Sequence, residues 1–250
     1  MFFIRKAYRS WQAKLSLEKM WSWPSICRVC DAWSTQALCA ACASAAAQPQ
    51  TRCIRCAMPS AEPACISCLM DPPPWQHCLA ALPYAPPWSG LITAFKYQGD
   101  AGLVRYLAQQ MRACADIQEM TAKADWLLPV PLSATRLRER GFNQSLLLAQ
   151  ALSQHKTQAD ALLRLRNTLP QAGLSRQERL HNLAHAFACN PRHMALLRGH
   201  RVVLIDDVLT TGSTLQACTQ TLLSAGVAQV NCLVLARATG AQPPQSGIGH

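Results

Sequence analysis

Apolar residues along the chain fall into short unbroken runs separated by longer amphipathic stretches. The run Val202-Val-Leu-Ile205 has no polar interruption and is half β-branched or more, the pattern of a strand buried on both faces as in a parallel sheet. Leu215, Cys218, Leu222 and Ala225 follow at helical spacing, and Gly226 ends that helix. The same alternation occurs upstream. Strands are predicted over 78–84, 126–130, 201–205 and 230–235, with helices over 89–97, 102–115, 144–154 and from Ser213 to the glycine. Strand and helix in alternation imply an α/β fold in which a parallel sheet is flanked by helices.

Composition changes this picture little. Half of the 250 residues are hydrophobic and 15% are charged, which suits a packed core and leaves little room for long disorder. The length accommodates one α/β domain and a smaller module. Residues 1–24 form an N-terminal extension with basic and aromatic residues but no apolar run of signal-peptide length, and nothing near 18 apolar residues in succession. Neither a signal peptide nor a membrane span is expected there. The extension reads either as an amphipathic surface helix or as sequence upstream of a true start at Met20.

The smaller module is marked by cysteine. Eight of the 13 cysteines form four Cys-x-x-Cys pairs, Cys27 with Cys30, Cys39 with Cys42, Cys53 with Cys56, and Cys65 with Cys68. The second two pairs repeat the first two 26 residues later, with eight residues between pairs in each copy. Each Cys-x-x-Cys turn presents two thiolates to adjacent corners of a tetrahedron, so the repeat implies two structural four-thiolate zinc sites in a double zinc ribbon over 25–70. Spacing permits either sequential filling or an interleaved pairing of Cys27 and Cys30 with Cys53 and Cys56. Redox or disulfide chemistry is the alternative, but a redox motif needs one pair on a βαβ unit. Reduced thiolates without an export signal place the protein in the cytoplasm. A stiff Pro-rich linker, 71–77, leads to the α/β domain at 78–238, and a Gly-, Pro- and Gln-rich tail, 239–250, reads as disordered.

Candidate chemistry concentrates after the buried strand, where Asp206 and Asp207 precede Thr210, Thr211, Gly212, Ser213 and Thr214. Ligands in open α/β sheets sit at the carboxyl ends of strands, and the first turn of the following helix offers unpaired N–H groups to an anion. The hydroxyls donate to a phosphate, and Gly212 lets the backbone approach it. The two carboxylates would repel that phosphate. They suit sugar hydroxyls or a hydrated Mg²⁺, so a sugar phosphate satisfies both halves. A Walker-type loop is excluded because Gly-x-x-x-x-Gly-Lys is absent. The plain alternative is a polar turn that binds nothing.

This segment resembles, at every position, the 5-phosphoribosyl-1-pyrophosphate (PRPP) binding motif of type I phosphoribosyltransferases. The resemblance implies a type I phosphoribosyltransferase-like fold, with Asp206 and Asp207 on the ribose hydroxyls, 210–214 on the 5-phosphate, and Mg²⁺ bound with PRPP.

Charge adds a second layer. The formal net charge is +11, with much of the excess as arginine between Arg136 and Arg201, and a polyanionic partner fits it. Arg136, Arg138 and Arg140 lie on a predicted loop leading into a helix capped by Asn143, where guanidinium forks could clamp pyrophosphate. Arg176 and Arg179 belong to an irregular polar stretch, 164–187, expected to act as a mobile flap. Solvated arginines without a partner are the alternative for both.

The double ribbon, Phe95-Lys-Tyr-Gln-Gly99, Pro129-Val-Pro131, Arg138-Glu-Arg-Gly-Phe-Asn-Gln144, the arginine-rich stretch and the PRPP motif together resemble the ComF/GntX family of bacterial competence and DNA-utilisation proteins. That resemblance implies a role in uptake or use of external DNA, beside a helicase-like or single-strand-binding competence protein. Two activities follow. The chain is either a phosphoribosyltransferase with an unnamed acceptor, or a non-catalytic adaptor that binds single-stranded DNA or a partner and keeps its PRPP pocket as a sensor or a vestige.

Overall fold

The computed structural model describes residues 25–46, 50–165 and 186–239. The chain divides into two compact units, with the boundary between Ala47 and Gln48, inside the cysteine-rich stretch. In the first unit a two-stranded antiparallel ribbon, β1 (Ser25–Ile26) and β2 (Trp33–Ser34), precedes a short helix, α1 (Ala40–Ala46).

The second unit begins with the other half of the cysteine repeat and helix α2 (Ile66–Met70). Its centre is a four-stranded parallel sheet in the order β3 (Cys78–Pro83), β8 (Gln229–Arg237), β7 (Arg201–Leu209), β4 (Trp126–Pro129). Val202 to Ile205 are at most 1% exposed, as the unbroken apolar run requires of a strand with neighbours on both edges and helices on its faces. Fully burying a side chain of this size contributes about 1.5–3 kcal/mol, so β7 and β8 anchor the unit.

Helix α3 (Trp88–Tyr97) buries Trp88, Leu91, Ile92, Ala94 and Phe95. Helix α4 (Leu103–Arg112) packs against α7 (Gln144–Ser153), which lies on β4 and β7. The helix predicted over 102–115 stops at Arg112, and extended backbone at Cys114 starts a separate helix, α5 (Ala115–Lys123). Another helix, α6 (Ala134–Arg140), occupies the stretch read from sequence as a loop. Ser133 caps it by accepting from the Arg136 N–H, and Gly141 closes it in the left-handed region at φ 77°. Asn143 caps α7 as expected, accepting from the N–H groups of Ser145 and Leu146, and its amide also donates to the Val130 carbonyl at 3.0 Å.

Beyond α7, β5 (Leu162–Arg164) pairs antiparallel with β6 (Phe187–Cys189). The intervening 166–185, which carry Arg176, Arg179 and most of the expected flap, lie outside the described residues, as do 1–24 and the tail from 240. A short α8 (Met194–Leu197) leads into β7, and α9 (Ser213–Ser224) joins β7 to β8. Among the described residues no helix is long and apolar enough to cross a membrane.

The sheet ends unevenly. β4 pairs with β7 up to Pro129 opposite Ile205, and the Val130 N–H still donates to the Ile205 carbonyl at 2.9 Å. Pro131 then has no N–H to continue the ladder. β7 runs on to Leu209, paired only with β8. The acidic pair thus lies just beyond the point where the β4 ladder ends, the position at which ligands sit in open α/β sheets.

Asn143→Ala, which removes a helix cap and a tie to the end of β4, should lower stability by about 1–2 kcal/mol in urea titration. Leu204→Ala, a cavity in β7, should cost about 2–5 kcal/mol. A larger loss for the cap than for the core residue would contradict this ranking.

Candidate functional site

Three elements meet at the carboxyl end of β7. The strand delivers Asp206 and Asp207, the turn 210–212 follows, and α9 starts at Ser213 with no side chain capping its first N–H groups. Those groups are therefore free of intrahelical partners and point toward an incoming anion. Thr211 Oγ1 and Ser213 Oγ stand 3.1 Å apart on the same turn. Gly212 is required twice over: its φ is +82°, and a Cβ there would come within 3.3 Å of the Trp75 ring and 3.5 Å of Leu209 Cδ1.

The two carboxylates are held differently. Asp207 is buried and forms an ion pair with Lys96 Nζ at 2.9 Å, both side chains being little exposed. Asp206 accepts from Ser145 Oγ at 3.0 Å and from the Asp207 N–H at 2.9 Å. Loss of hydration, and next the adjacent Asp207 charge, push its carboxyl up to about 7 despite these hydrogen bonds and Lys96. Asp207 is therefore paired with a cation, while burial beside it holds the Asp206 carboxyl above the ordinary carboxylate range.

The sequence pattern assigned no role to Lys96 or Ser145. A signal for Lys96 existed: it is the only lysine between residues 20 and 122, and it sits at the end of an otherwise apolar helix. Ser145 offered none, since only the packing of α7 on β7 brings it to Asp206.

The arginines separate. Arg140 is engaged with α3, its guanidinium 4.8 Å from the Tyr97 ring centroid and donating to Tyr97 Oη and to Gln144 Oε1. Gln144 in turn donates to the Lys96 carbonyl at 3.4 Å, so this network steadies the lysine's helix. Arg138 is exposed on α6 and Arg136 half-buried. Arg164, at the end of β5, lies over the Phe187 ring at 5.4 Å. Burial, and next the charge of Arg136, lower its proton affinity, while Cys218 and Asp206 act in the opposite sense. Arg164 thus feels the charges of both Arg136 and Asp206, whereas Arg140 is tied to α3.

Both tetra-cysteine groups assemble in sequential order. Cys27, Cys30, Cys39 and Cys42 lie within 4.8 Å of one another at their sulfurs, and so do Cys53, Cys56, Cys65 and Cys68. The Cys30–Cys39 and Cys56–Cys65 sulfurs are 3.7 and 3.6 Å apart. Four thiolates about 2.3 Å from a central ion stand about 3.8 Å from each other, so each group can hold a metal. The local backbone repeats as well: Asp31 and Ala57, 26 residues apart, both have φ 57° and donate to the carbonyls of Cys27 and Cys53. The N–H groups of Cys39 and then Cys30 draw Cys27 down to about 6, while the neighbouring Cys30 and Cys39 thiols push Cys42 up to about 12. Four thiolates so close need a cation to ionise together.

Asp206 makes stability depend on pH. The folded protein holds this proton up to about pH 7, whereas the ordinary value is 3.8. Its contribution therefore favours folding at acid pH and disappears as pH rises through about 7. Asp206→Asn, measured without ligand or Mg²⁺, should flatten the corresponding fall in melting temperature between about pH 4 and 8. Parallel profiles for the two proteins would show that Asp206 titrates normally.

A model of the phosphoribosyl transferase domain matches residues 139–247. Competence protein F of Haemophilus influenzae is 34% identical over 154 residues, covering 58% of this chain and 65% of its own length. The DNA utilization protein YhgH of Escherichia coli strain K12 is 34% identical over 179 residues, covering 68% of this chain and 75% of its own. Competence protein ComFC of Bacillus subtilis is 34% identical over 144 residues, 57% of either chain. A solved allosteric regulatory enzyme of purine biosynthesis aligns over 58% of this chain and 26% of its own at 20% identity, with a TM-score of 0.33. The identity to the Escherichia protein across three quarters of that protein's length, together with the phosphoribosyl transferase domain and the paired tetra-cysteine groups, means that this chain belongs to the ComF/GntX family.

Proposed function

We propose that this protein acts in the uptake or use of external DNA through a phosphoribosyltransferase-like domain whose sheet-end pocket binds PRPP with Mg²⁺. The observation that carries the reading is the uncapped start of α9, lined with hydroxyls, directly beyond two carboxylates at the end of β7. Thr210 to Thr214 would take the 5-phosphate, and Asp206 and Asp207 the ribose hydroxyls or the hydrated cation. Lys96 orients Asp207 for that contact through their ion pair, and ionising Asp206 on ligand or cation binding would release its proton. Arg164 shares an electrostatic interaction with Asp206, and Arg136, Arg138, Arg140, Arg176 and Arg179 would be the pyrophosphate or polyanion contacts. Displacement of pyrophosphate by an acceptor would draw on their positive charge.

A binding role without turnover is the second reading, favoured by the +11 charge and by Ile26, Val29 and Trp33, which stand at least half exposed on the first cysteine unit. Single-stranded DNA, or a competence protein that handles it, would be the partner. The relatives' names, competence and DNA utilization, support either version. Reduced cysteines with two metal shells support a cytoplasmic location.

Calorimetric titration with PRPP and Mg²⁺, coupled to an assay for released pyrophosphate, tests the pocket and separates the two readings. Binding should weaken at least about 100-fold in the Asp206→Ala, Asp207→Ala double variant, since two contacts to ionised groups are lost. Unchanged affinity would remove the carboxylates from the site. Pyrophosphate release with an acceptor supports the transferase, and binding without release supports the adaptor.

For the cysteine groups we propose zinc, which four thiolates select. Metal analysis should find two zinc ions per chain. Chelation should cost far more stability than a surface change, because structural zinc contributes about 10–16 kcal/mol in finger peptides. A melting temperature indifferent to chelator would argue against structural metal.

A further inference from the structure

The second tetra-cysteine group and the loop after β7 belong to one compact unit, and two chains of contacts join them. The first runs through Arg237, the last residue of β8. Its Nε donates to the Cys56 carbonyl at 2.8 Å, and its Nη1 donates to the carbonyls of Leu209 at 2.8 Å, Thr210 at 2.6 Å and Ala238 at 2.7 Å. A single guanidinium therefore ties a cysteine of the group to the first residue of the loop. Arginine suits this task because its planar fork of donors can serve several carbonyls at once.

The second chain runs through Trp75. Its indole Nε1 donates to the Arg55 carbonyl at 2.6 Å, and Arg55 Nη1 donates back to the Trp75 carbonyl at 3.1 Å. Arg55 lies between Cys53 and Cys56, in the turn whose shape a bound metal would fix. The Trp75 ring is 4% exposed and is the surface against which Gly212 is packed. What reads in sequence as the end of a proline linker is thus the floor of the loop. Ala57 belongs to the same buried cluster as Trp75, Leu209 and Leu215, and the Cys78 N–H donates to the Ile54 carbonyl at 2.8 Å. The cysteine turn, the loop and the start of α9 consequently move as one packed body or not at all.

We infer that Arg237 and Trp75 are positioning residues that couple the Cys53–Cys68 group to the phosphate loop, so that metal in the group and a phosphorylated sugar in the loop strengthen each other's binding. The identity of the ligand rests on the PRPP reading above. Coupling of this kind is reciprocal: whatever holds the loop must also hold the metal.

The test uses the full zinc-loaded chain and follows zinc transfer to a chromogenic chelator, with and without saturating PRPP and Mg²⁺. In the unaltered protein, the ligand should slow release of one of the two zinc equivalents about tenfold and leave the other unchanged. Arg237→Gln should still bind both zinc ions, lose that slowing, and bind PRPP about tenfold more weakly, with partial recovery in Arg237→Lys. Trp75→Phe stays aromatic but loses both the donor to Arg55 and the ring atom nearest Gly212, and should reduce the slowing in the same direction, which provides an answer if Arg237→Gln fails to fold. Persistence of the full slowing in the variants, or no slowing in the unaltered protein despite PRPP binding, overturns the coupling. Failure of the unaltered protein to bind PRPP instead refutes the ligand reading. The release assay is then read with inorganic pyrophosphate, and indifference to that probe overturns the coupling as well.

Discussion

The ion pair between Lys96 and Asp207 is the contact on which the sheet end depends. It spans 2.9 Å between two little-exposed side chains, one at the end of α3 and the other on β7. Breaking such a pair by removing one partner costs about 3–5 kcal/mol, because the survivor is left charged without water. The pair permits two carboxylates to follow one another on a strand whose preceding four residues are wholly buried. It also anchors further structure: the Lys96 carbonyl accepts from Gln144, and Gln144 accepts from Arg140, which lies over Tyr97. Two motifs far apart in sequence, Phe95 to Gly99 and Arg138 to Gln144, are thereby one network behind the acidic pair.

The two edges of β7 differ in ladder length. Pro131 stops β4 from following β7, while β8 accompanies β7 to Leu209 opposite Arg237. On one edge of β7 the residues that carry charge have no strand partner, and the other edge remains hydrogen-bonded to β8. The residue that ends the β8 side is the one whose guanidinium reaches the loop.

The two halves of the cysteine repeat share a local structure and differ in context. Each closes its turn with a residue at φ 57° and gathers four sulfurs into one group. The first copy sits in a unit of its own, whereas Ala57 of the second is buried in the core of the α/β unit with Trp75 and Leu209. Identical spacing produced identical turns because backbone hydrogen bonds within a few residues determine them. The placement of each copy follows from the apolar residues around it, which the repeat does not carry.

Local chemistry was therefore legible in the chain, and long-range partnership was not. The parallel sheet followed from apolar runs at Val202 and Val230, the cap from Asn143, and the metal groups from the cysteine intervals, since each depends on neighbours within one turn or one strand. Helix α6 was missed because its two signals, Ser133 and Gly141, enclose only seven residues with a single large apolar side chain, the exposed Leu137, and no buried stripe. The sequential pairing of the cysteines, the contact of Ser145 with Asp206 and the double grip of Arg237 join residues 12 to 181 positions apart. No periodicity links such positions. By itself the sequence determined the strands of the sheet, most of its helices and which side chains offer hydroxyl, carboxylate or thiolate groups. Only the packing of helices on the sheet decided which of those side chains meet, because burial brings together whatever faces the same core, regardless of its distance along the chain.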